Sequence, residues 1–89
     1  MHFFNYKNNK LHAEAVPIDK IVKKVGTPCY IYSLKTLTMH YHAFDDAFTS
    51  VPHLICYSVK ANSNIAVINT FVKEGSGVDI VSGGELYRA

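Results

Sequence analysis

The sequence predicts an α/β protein built from parallel βα units. Short runs of apolar, β-favouring residues alternate with segments whose apolar residues recur at helical spacing. One run, 54–59, leads directly into Lys60 and then into a small polar stretch, 61–64, as expected of a buried strand that ends in a loop. Alternation of this kind is typical of a parallel sheet covered by helices.

The composition is that of an ordinary globular protein. The 89 residues are 48% hydrophobic and 18% charged, with a net charge of +2. Because the basic residues are few and scattered, we expect no nucleic-acid partner and no anionic membrane partner. No apolar run approaches the roughly 20 residues of a membrane span, and the first residues do not resemble a signal peptide. We therefore expect a cytoplasmic location.

The cysteines and histidines predict no metal site. Cys29 and Cys56 are far apart and form no Cys-x-x-Cys motif, so both are interpreted as small buried residues. His40 and His42 lie two positions apart, which places them on different faces of a helix. The other histidines are isolated.

The first 25 residues predict a β-hairpin and a short helix. Strands at 3–6 and 11–16 flank a turn at 7–10, whose two asparagines tolerate turn dihedrals. Pro17 suits the first turn of the helix, and Gly26 suits its end. The apolar residues of this helix recur at 3.6-residue spacing: Ile18, Ile21, Val22 and Val25.

A second strand and a second helix follow Thr27-Pro28. Residues 29–32 favour a strand, Ser33 suits a helix N-cap, and Pro52 closes the helical segment. One stripe of this helix is apolar: Leu34, Leu37, Tyr41, Phe44 and Phe48. A coiled-coil seam would give the same stripe, but over so few turns a core-facing side is favoured.

The last third predicts two more βα units. After the strand at 54–60, Ser63 or Asn64 caps a helix that ends at Gly75. A strand at 78–81 is followed by Ser82-Gly83-Gly84-Glu85, which has the spacing of a capping box. Since two and a half βα units cannot close a barrel of roughly 250 residues, we expect the chain to be the N-terminal piece of a longer protein.

Lys60 is the residue with the clearest chemical potential. Alternation along the strand places four side chains on one face: Leu54, Cys56, Ser58 and Lys60. In a closed parallel barrel this face is the interior, and the carboxyl ends of the strands form the active site. Desolvation there lowers the pKa of an amine and frees it for attack on a carbonyl. The alternative is that Lys60 simply extends into water at the end of a strand.

Three segments together resemble the pyridoxal-phosphate-dependent decarboxylases of the alanine-racemase-like barrel class. Residues 26–33 resemble the entry strand of that family, 57–62 resemble the segment with the cofactor lysine, and 75–86 resemble the segment that follows. The opening up to Pro17 is also similar to the start of family members. In this chain Asp79 follows Lys60 by 19 positions, the expected separation.

The resemblance implies the N-terminal part of a (β/α)8 TIM barrel. Residues 1–25 would form the N-terminal hairpin and short helix, and the hairpin would belong to a C-terminal β domain of the full-length protein. Residues 26–89 would be the first βα units of a truncated barrel that binds pyridoxal 5'-phosphate.

The resemblance also implies the site. Lys60 would be the catalytic residue that holds pyridoxal phosphate, Asp79 would lie beside the cofactor, and Ser58 would line the same pocket. The alternative for Asp79 is a carboxylate that only satisfies a backbone donor.

The residues at 82–86 and at the start of the chain most resemble one branch of the family. That branch decarboxylates meso-2,6-diaminopimelate to L-lysine in lysine biosynthesis. Decarboxylases of the ornithine, arginine or carboxynorspermidine type, or a non-catalytic cofactor-binding relative, remain open. The resemblance implies a small amino-acid substrate and a homodimer at full length. We expect the 89 residues alone to be inactive.

Overall fold

A computed structural model describes all residues from 1 to 89 and divides the chain into two compact units, Met1–Leu37 and Thr38–Ala89. The first contains a small antiparallel sheet and a helix, and the second contains two parallel strands with helices between and after them. The predicted α/β class is confirmed. No helix has both the length and the apolar character needed to cross a bilayer.

The first unit begins with the predicted hairpin. Strands β1 (Phe4–Lys7) and β2 (Lys10–Ala13) pair antiparallel, and Lys7 lies opposite Lys10. Only Asn8 and Asn9 lie between them, with φ angles of 52° and 61°. Positive φ at both positions is what a two-residue hairpin turn requires, and asparagine tolerates it better than most residues.

The prediction of one continuous strand over 11–16 is wrong. Glu14 adopts a φ of 56°, and its N–H donates to the carbonyl oxygen of Phe3 at 2.6 Å. This kink ends β2 and turns the chain back, so that β3 (Val16–Pro17) pairs with β2 as a third strand.

Helix α1 spans Ile18–Val25, with Asp19 in its first turn and lysines in its last. Pro17 is the extended residue just before the helix rather than part of its first turn. Gly26 ends the helix as predicted: its φ is 79°, and its N–H donates to the carbonyl oxygen of Val22. A positive φ costs glycine little because it has no Cβ.

Residues 29–32 do not form the predicted strand. Their β-favouring side chains find no neighbouring strand to pair with, and a strand is stabilised by cross-strand partners more than by intrinsic preference. Tyr30 is 94% exposed. Cys29 and Cys56 are also exposed, so the prediction that both cysteines are buried is wrong.

Helix α2 spans Leu34–Ala47, and the boundary between the two units falls within it. The predicted cap is confirmed, since the Ser33 hydroxyl accepts from the N–H of Thr36 at 3.1 Å. Of the predicted apolar stripe, only Tyr41 is buried. Leu34, Phe44 and Phe48 are exposed, and Phe48 follows the end of the helix. The prediction of a core-facing stripe therefore fails for these three positions.

The second unit contains the parallel pair. Strands β4 (Cys56–Ser58) and β5 (Gly77–Asp79) are shorter than the predicted 54–60 and 78–81, but they pair in parallel as expected. Gly77 lies opposite Cys56, and a Cβ on Gly77 would lie 3.0 Å from the Cys56 sulfur. Glycine thus permits this close approach.

Helices α3 (Ile65–Lys73) and α4 (Gly83–Arg88) follow the two strands. Asn64 caps α3 by accepting from Ala66, and Ser82 caps α4 by accepting from Glu85. The Glu85 carboxylate reaches back to the N–H of Val81 at 2.9 Å rather than to that of Ser82. The predicted caps are confirmed, and Glu85 bonds one residue further back than the usual capping box.

The core of the second unit consists of Tyr41, Val59 and Ile68, of which Val59 is completely inaccessible. Tyr41 also packs its ring near that of Phe71 on α3, with centroids 6.4 Å apart. Burial of the Tyr41 ring raises the pKa of its hydroxyl, and the nearby carboxylates of Asp45 and Glu74 act in the same direction.

Candidate functional site

The candidate site lies where β4 and β5 end. Because the two strands run in parallel, their carboxyl ends meet at one edge of the sheet, with Ser58 directly opposite Asp79. Lys60 comes two residues after Ser58. All three predicted site residues therefore belong to the same edge of this two-stranded sheet.

The prediction that Lys60 lies on the strand is wrong. Lys60 lies in a single 3₁₀ turn, Val59–Ala61. The turn begins after Ser58 and ends at Asn62, both of which have extended dihedrals. A 3₁₀ turn breaks the two-residue alternation of a strand, so the face shared by Ser58 and Lys60 cannot be read from parity.

The burial pattern of the turn explains its conformation. Val59 has no accessible surface, whereas Lys60 beside it is exposed. Burying the valine side chain removes apolar area from water and leaves the lysine amine accessible. The predicted desolvation of Lys60 is therefore absent from this structure.

Asp79 and Ser58 are brought together by strand register. The Ser58 hydroxyl donates to Asp79 Oδ2 at 3.4 Å, a long hydrogen bond. Asp79 is exposed, so its carboxylate retains acceptor capacity for a cationic group. The alternative, in which Asp79 serves a backbone donor, is not the contact seen here.

Ser76, which the sequence analysis did not single out, ties the two strands together before the site. Its hydroxyl accepts from the N–H of Tyr57 at 3.2 Å and lies 2.7 Å from the carbonyl oxygen of Gly77 and 3.2 Å from that of Ile55. The signal available in the sequence was a serine between two glycines directly before a strand, Gly75-Ser76-Gly77.

Two asparagines order the chain after Lys60. The Asn62 side chain accepts from the N–H of Asn64 at 2.9 Å, and the Asn64 side chain accepts from Ala66 at the start of α3. These short-range bonds are the ones that asparagine favours in turns and caps. The turn that carries Lys60, Val59–Ala61, is thus followed by a short hydrogen-bonded segment and then by a capped helix.

The geometry can support covalent capture of an aldehyde. An accessible primary amine lies just after one strand, and an accessible carboxylate lies at the end of the next. Attack by a lysine amine on a carbonyl, beside an anion able to pair with a cationic partner, is a familiar combination in enzymes. No group of three or more histidine, cysteine or acidic side chains is arranged to hold a metal ion.

Residues 34–89 match the family described as "Pyridoxal-dependent decarboxylase, pyridoxal binding domain". The chain belongs to this family. The match includes both strands of the parallel pair, the lysine turn and Asp79.

Several similar proteins share one name. Diaminopimelate decarboxylase of Haemophilus influenzae is 57% identical over 99% of the chain, and that of Vibrio cholerae is 54% identical over 99%. A crystal structure of diaminopimelate decarboxylase from M. jannaschii in complex with L-lysine matches 97% of the chain, with a TM-score of 0.90 and 32% identity. The chain spans about a fifth, 21%, of the length of each of these proteins.

Proposed function

We propose that the full-length protein carrying this chain decarboxylates meso-2,6-diaminopimelate to L-lysine and carbon dioxide with pyridoxal 5'-phosphate as cofactor. The observation that carries the proposal is the position of Lys60, in the turn directly after the strand end at which Ser58 pairs with Asp79, within a pyridoxal-binding family domain. The relatives named diaminopimelate decarboxylase support the choice of substrate.

In this proposal the parallel pair is the start of a (β/α)8 barrel of the alanine-racemase-like class. Residues 26–89 are its first βα units, and residues 1–25 are a separate N-terminal hairpin and helix whose sheet belongs with a C-terminal β domain. Parallel pairing of β4 and β5, with helix α3 between them in the chain, supports this arrangement. Further strands and helices would then cover the apolar side chains that are exposed here.

Lys60 is the proposed catalytic residue. Its amine would hold the aldehyde group of pyridoxal phosphate covalently, at the place that the amine of the substrate has to reach. The exposure of Lys60 in the chain fits this role, because the amine must be reached first by the cofactor and then by the substrate.

Asp79 and Ser58 complete the part of the site that this chain supplies. The Asp79 carboxylate pairs with a cationic group of the cofactor or substrate, and the Ser58 hydroxyl holds one of its oxygens in place. The donor set fits the cofactor, since an amine and a carboxylate are the groups that an aldehyde and a cationic ring require. When bound, pyridoxal phosphate takes up the electron pair left by departing carbon dioxide.

The proposal extends to the setting of the enzyme. A homodimer and a cytoplasmic location would suit a biosynthetic enzyme whose substrate is a small amino acid. Among the similar proteins, the M. jannaschii enzyme was solved in complex with L-lysine, and L-lysine is the product proposed here.

Borohydride trapping in the full-length protein tests the role of Lys60. We expect reduction to fix the cofactor to the peptide containing Lys60, and Lys60→Ala to abolish both the trapping and the release of carbon dioxide, because the substitution removes the amine that bonds the cofactor. The matched control is Lys73→Ala, which removes an exposed lysine in the last turn of α3. Cofactor fixed to another lysine would contradict the proposal.

Substrate assays separate the alternatives within the family. Carbon dioxide release from meso-2,6-diaminopimelate, and little from ornithine, arginine or carboxynorspermidine, is the expected result. Release from one of the other amino acids would reassign the substrate. Trapping at Lys60 with no release from any of them would indicate a non-catalytic cofactor-binding relative.

A further inference from the structure

Tyr57 connects the body of the second unit to the lysine turn. Its ring stacks on Phe71 of α3, with centroids 4.4 Å apart and an interplanar angle of 16°. Its hydroxyl donates to the carbonyl oxygen of Asn62 at 2.7 Å. Asn62 is the residue at which the turn carrying Lys60 ends.

These contacts hold the lysine turn at three points. Pairing of Ser58 with Asp79 holds its start, complete burial of Val59 holds its middle, and the hydroxyl of Tyr57 holds its end. Only the third point depends on a single side-chain hydrogen bond. Because the Tyr57 ring is fixed by its stack on Phe71, the hydroxyl is a rigid donor rather than a mobile one.

We propose that Tyr57 is a positioning residue that fixes the location of the Lys60 amine. The inference rests on the proposed function, because it assigns Tyr57 a part in covalent capture of the cofactor by Lys60. A reacting amine held in one place reacts faster than one that samples several, since the cost of ordering it has already been met by folding. Tyr57 acts on Lys60 through the backbone of Asn62.

Tyr57→Phe isolates the hydroxyl, because phenylalanine keeps the ring that stacks on Phe71. In the full-length protein freed of cofactor, we expect the rate of pyridoxal phosphate capture at Lys60 to fall about fivefold, the effect of losing one neutral hydrogen bond. We also expect the amides of residues 59–62 to exchange hydrogen faster by a similar factor, while those of α2 do not change.

The control is Tyr6→Phe, which removes the hydroxyl of an exposed tyrosine in the first unit. We expect it to leave capture and exchange unchanged. A second variant, Phe71→Leu, keeps the Tyr57 hydroxyl but removes its stacking partner. We expect it also to slow capture, because the Tyr57 hydroxyl is then no longer held by the ring stack.

The outcomes distinguish this inference from the function on which it rests. If the wild-type protein is not trapped at Lys60, the proposed function fails and the positioning role falls with it. If the wild type is trapped but Tyr57→Phe changes neither capture nor exchange at 59–62, the positioning role alone is overturned. A uniform rise in exchange across the second unit would also overturn it, since that would indicate a general structural role.

Discussion

The Asp79 carboxylate is held by the neighbouring strand. Its hydrogen bond comes from Ser58, which lies directly opposite it in the parallel register. Ser58 and Asp79 are 21 positions apart in the sequence, so only pairing of β4 with β5 can bring them together. The orientation of this carboxylate is therefore a property of the strand pair.

Asp79→Asn tests the charge of this group. The amide keeps the size and one acceptor oxygen but loses the negative charge, and we expect decarboxylation in the full-length protein to slow about 10- to 100-fold, the worth of one charge-assisted hydrogen bond. Trapping at Lys60 should persist. The control, Asp46→Asn, neutralises an exposed carboxylate of α2. Equal rates for the wild type and Asp79→Asn would contradict the role given to Asp79.

At the scale of the element, the turn between α3 and β5 sets where the second strand begins. Gly75 adopts a φ of 100°, and its N–H donates to the carbonyl oxygen of Val72. The next residue, Ser76, donates its own N–H to the carbonyl oxygen of Phe71. These two bonds satisfy the last carbonyl groups of the helix, as expected of a glycine-ended helix.

Gly75→Ala should destabilise the full-length protein by about 1–2 kcal/mol, because a Cβ is strained at positive φ. Steric contact is not the cause, since the nearest atom to a Cβ there is the Tyr41 hydroxyl oxygen at 3.8 Å. The control is Gly83→Ala in the first turn of α4, where no atom lies within 4 Å. We expect that change to be neutral or stabilising by up to about 1 kcal/mol. Urea unfolding of both variants makes the comparison, and equal losses would refute the argument.

At the scale of the whole molecule, each compact unit contains a titratable side chain whose pKa is shifted by its hydrogen bonds. In the first unit the Glu14 carboxylate accepts from the backbone N–H of Lys35 at 3.0 Å and from the Ser33 hydroxyl at 2.8 Å, and these bonds lower the pKa of Glu14. In the second unit His53 bonds through one ring nitrogen to the Val51 carbonyl oxygen and through the other to Asp45.

Both partners of His53 can only accept, so both ring nitrogens must donate and the imidazolium form is the one that satisfies them. The bond to the carbonyl oxygen of Val51 is the larger cause of a raised pKa of His53, and the Asp45 carboxylate adds to it. The side chains of His53 and Asp45 are both accessible to solvent, where salt and water weaken their contact.

The lowered pKa of Glu14 and the raised pKa of His53 predict that both groups stabilise the fold most at pH values between 4.5 and 6.5. The lowered pKa of Glu14 contributes stability above the ordinary glutamate value of 4.5, which is lost as pH falls through the folded pKa. The raised pKa of His53 contributes stability below the ordinary histidine value of 6.5, which is lost as pH rises through the folded pKa.

Unfolding midpoints of the full-length protein measured from pH 3 to 9 check this prediction against two variants. Glu14→Gln should flatten the acid limb alone, and His53→Gln should flatten the alkaline limb alone. Parallel pH profiles for the wild type and both variants would show that other groups govern the dependence.

Much of the local structure in both units was predictable from local signals. Asn64 and Ser82 cap their helices as expected because a cap is a contact between residues two or three positions apart. The Asn8-Asn9 turn and the glycine ends of α1 and α3 were predictable for the same reason. The alternation of strands and helices also predicted parallel pairing of β4 with β5, which is confirmed.

The sequence by itself determined the four helices, most caps and turns, and the motifs that identify the family, because each depends on neighbours along the chain or on residue identity. Only the tertiary structure decided that 29–32 forms no strand and that Lys60 lies in a 3₁₀ turn rather than on β4. A strand needs another strand to pair with, and residues 29–32 have none. The turn that carries Lys60 contains Val59, whose complete burial depends on packing within the second unit.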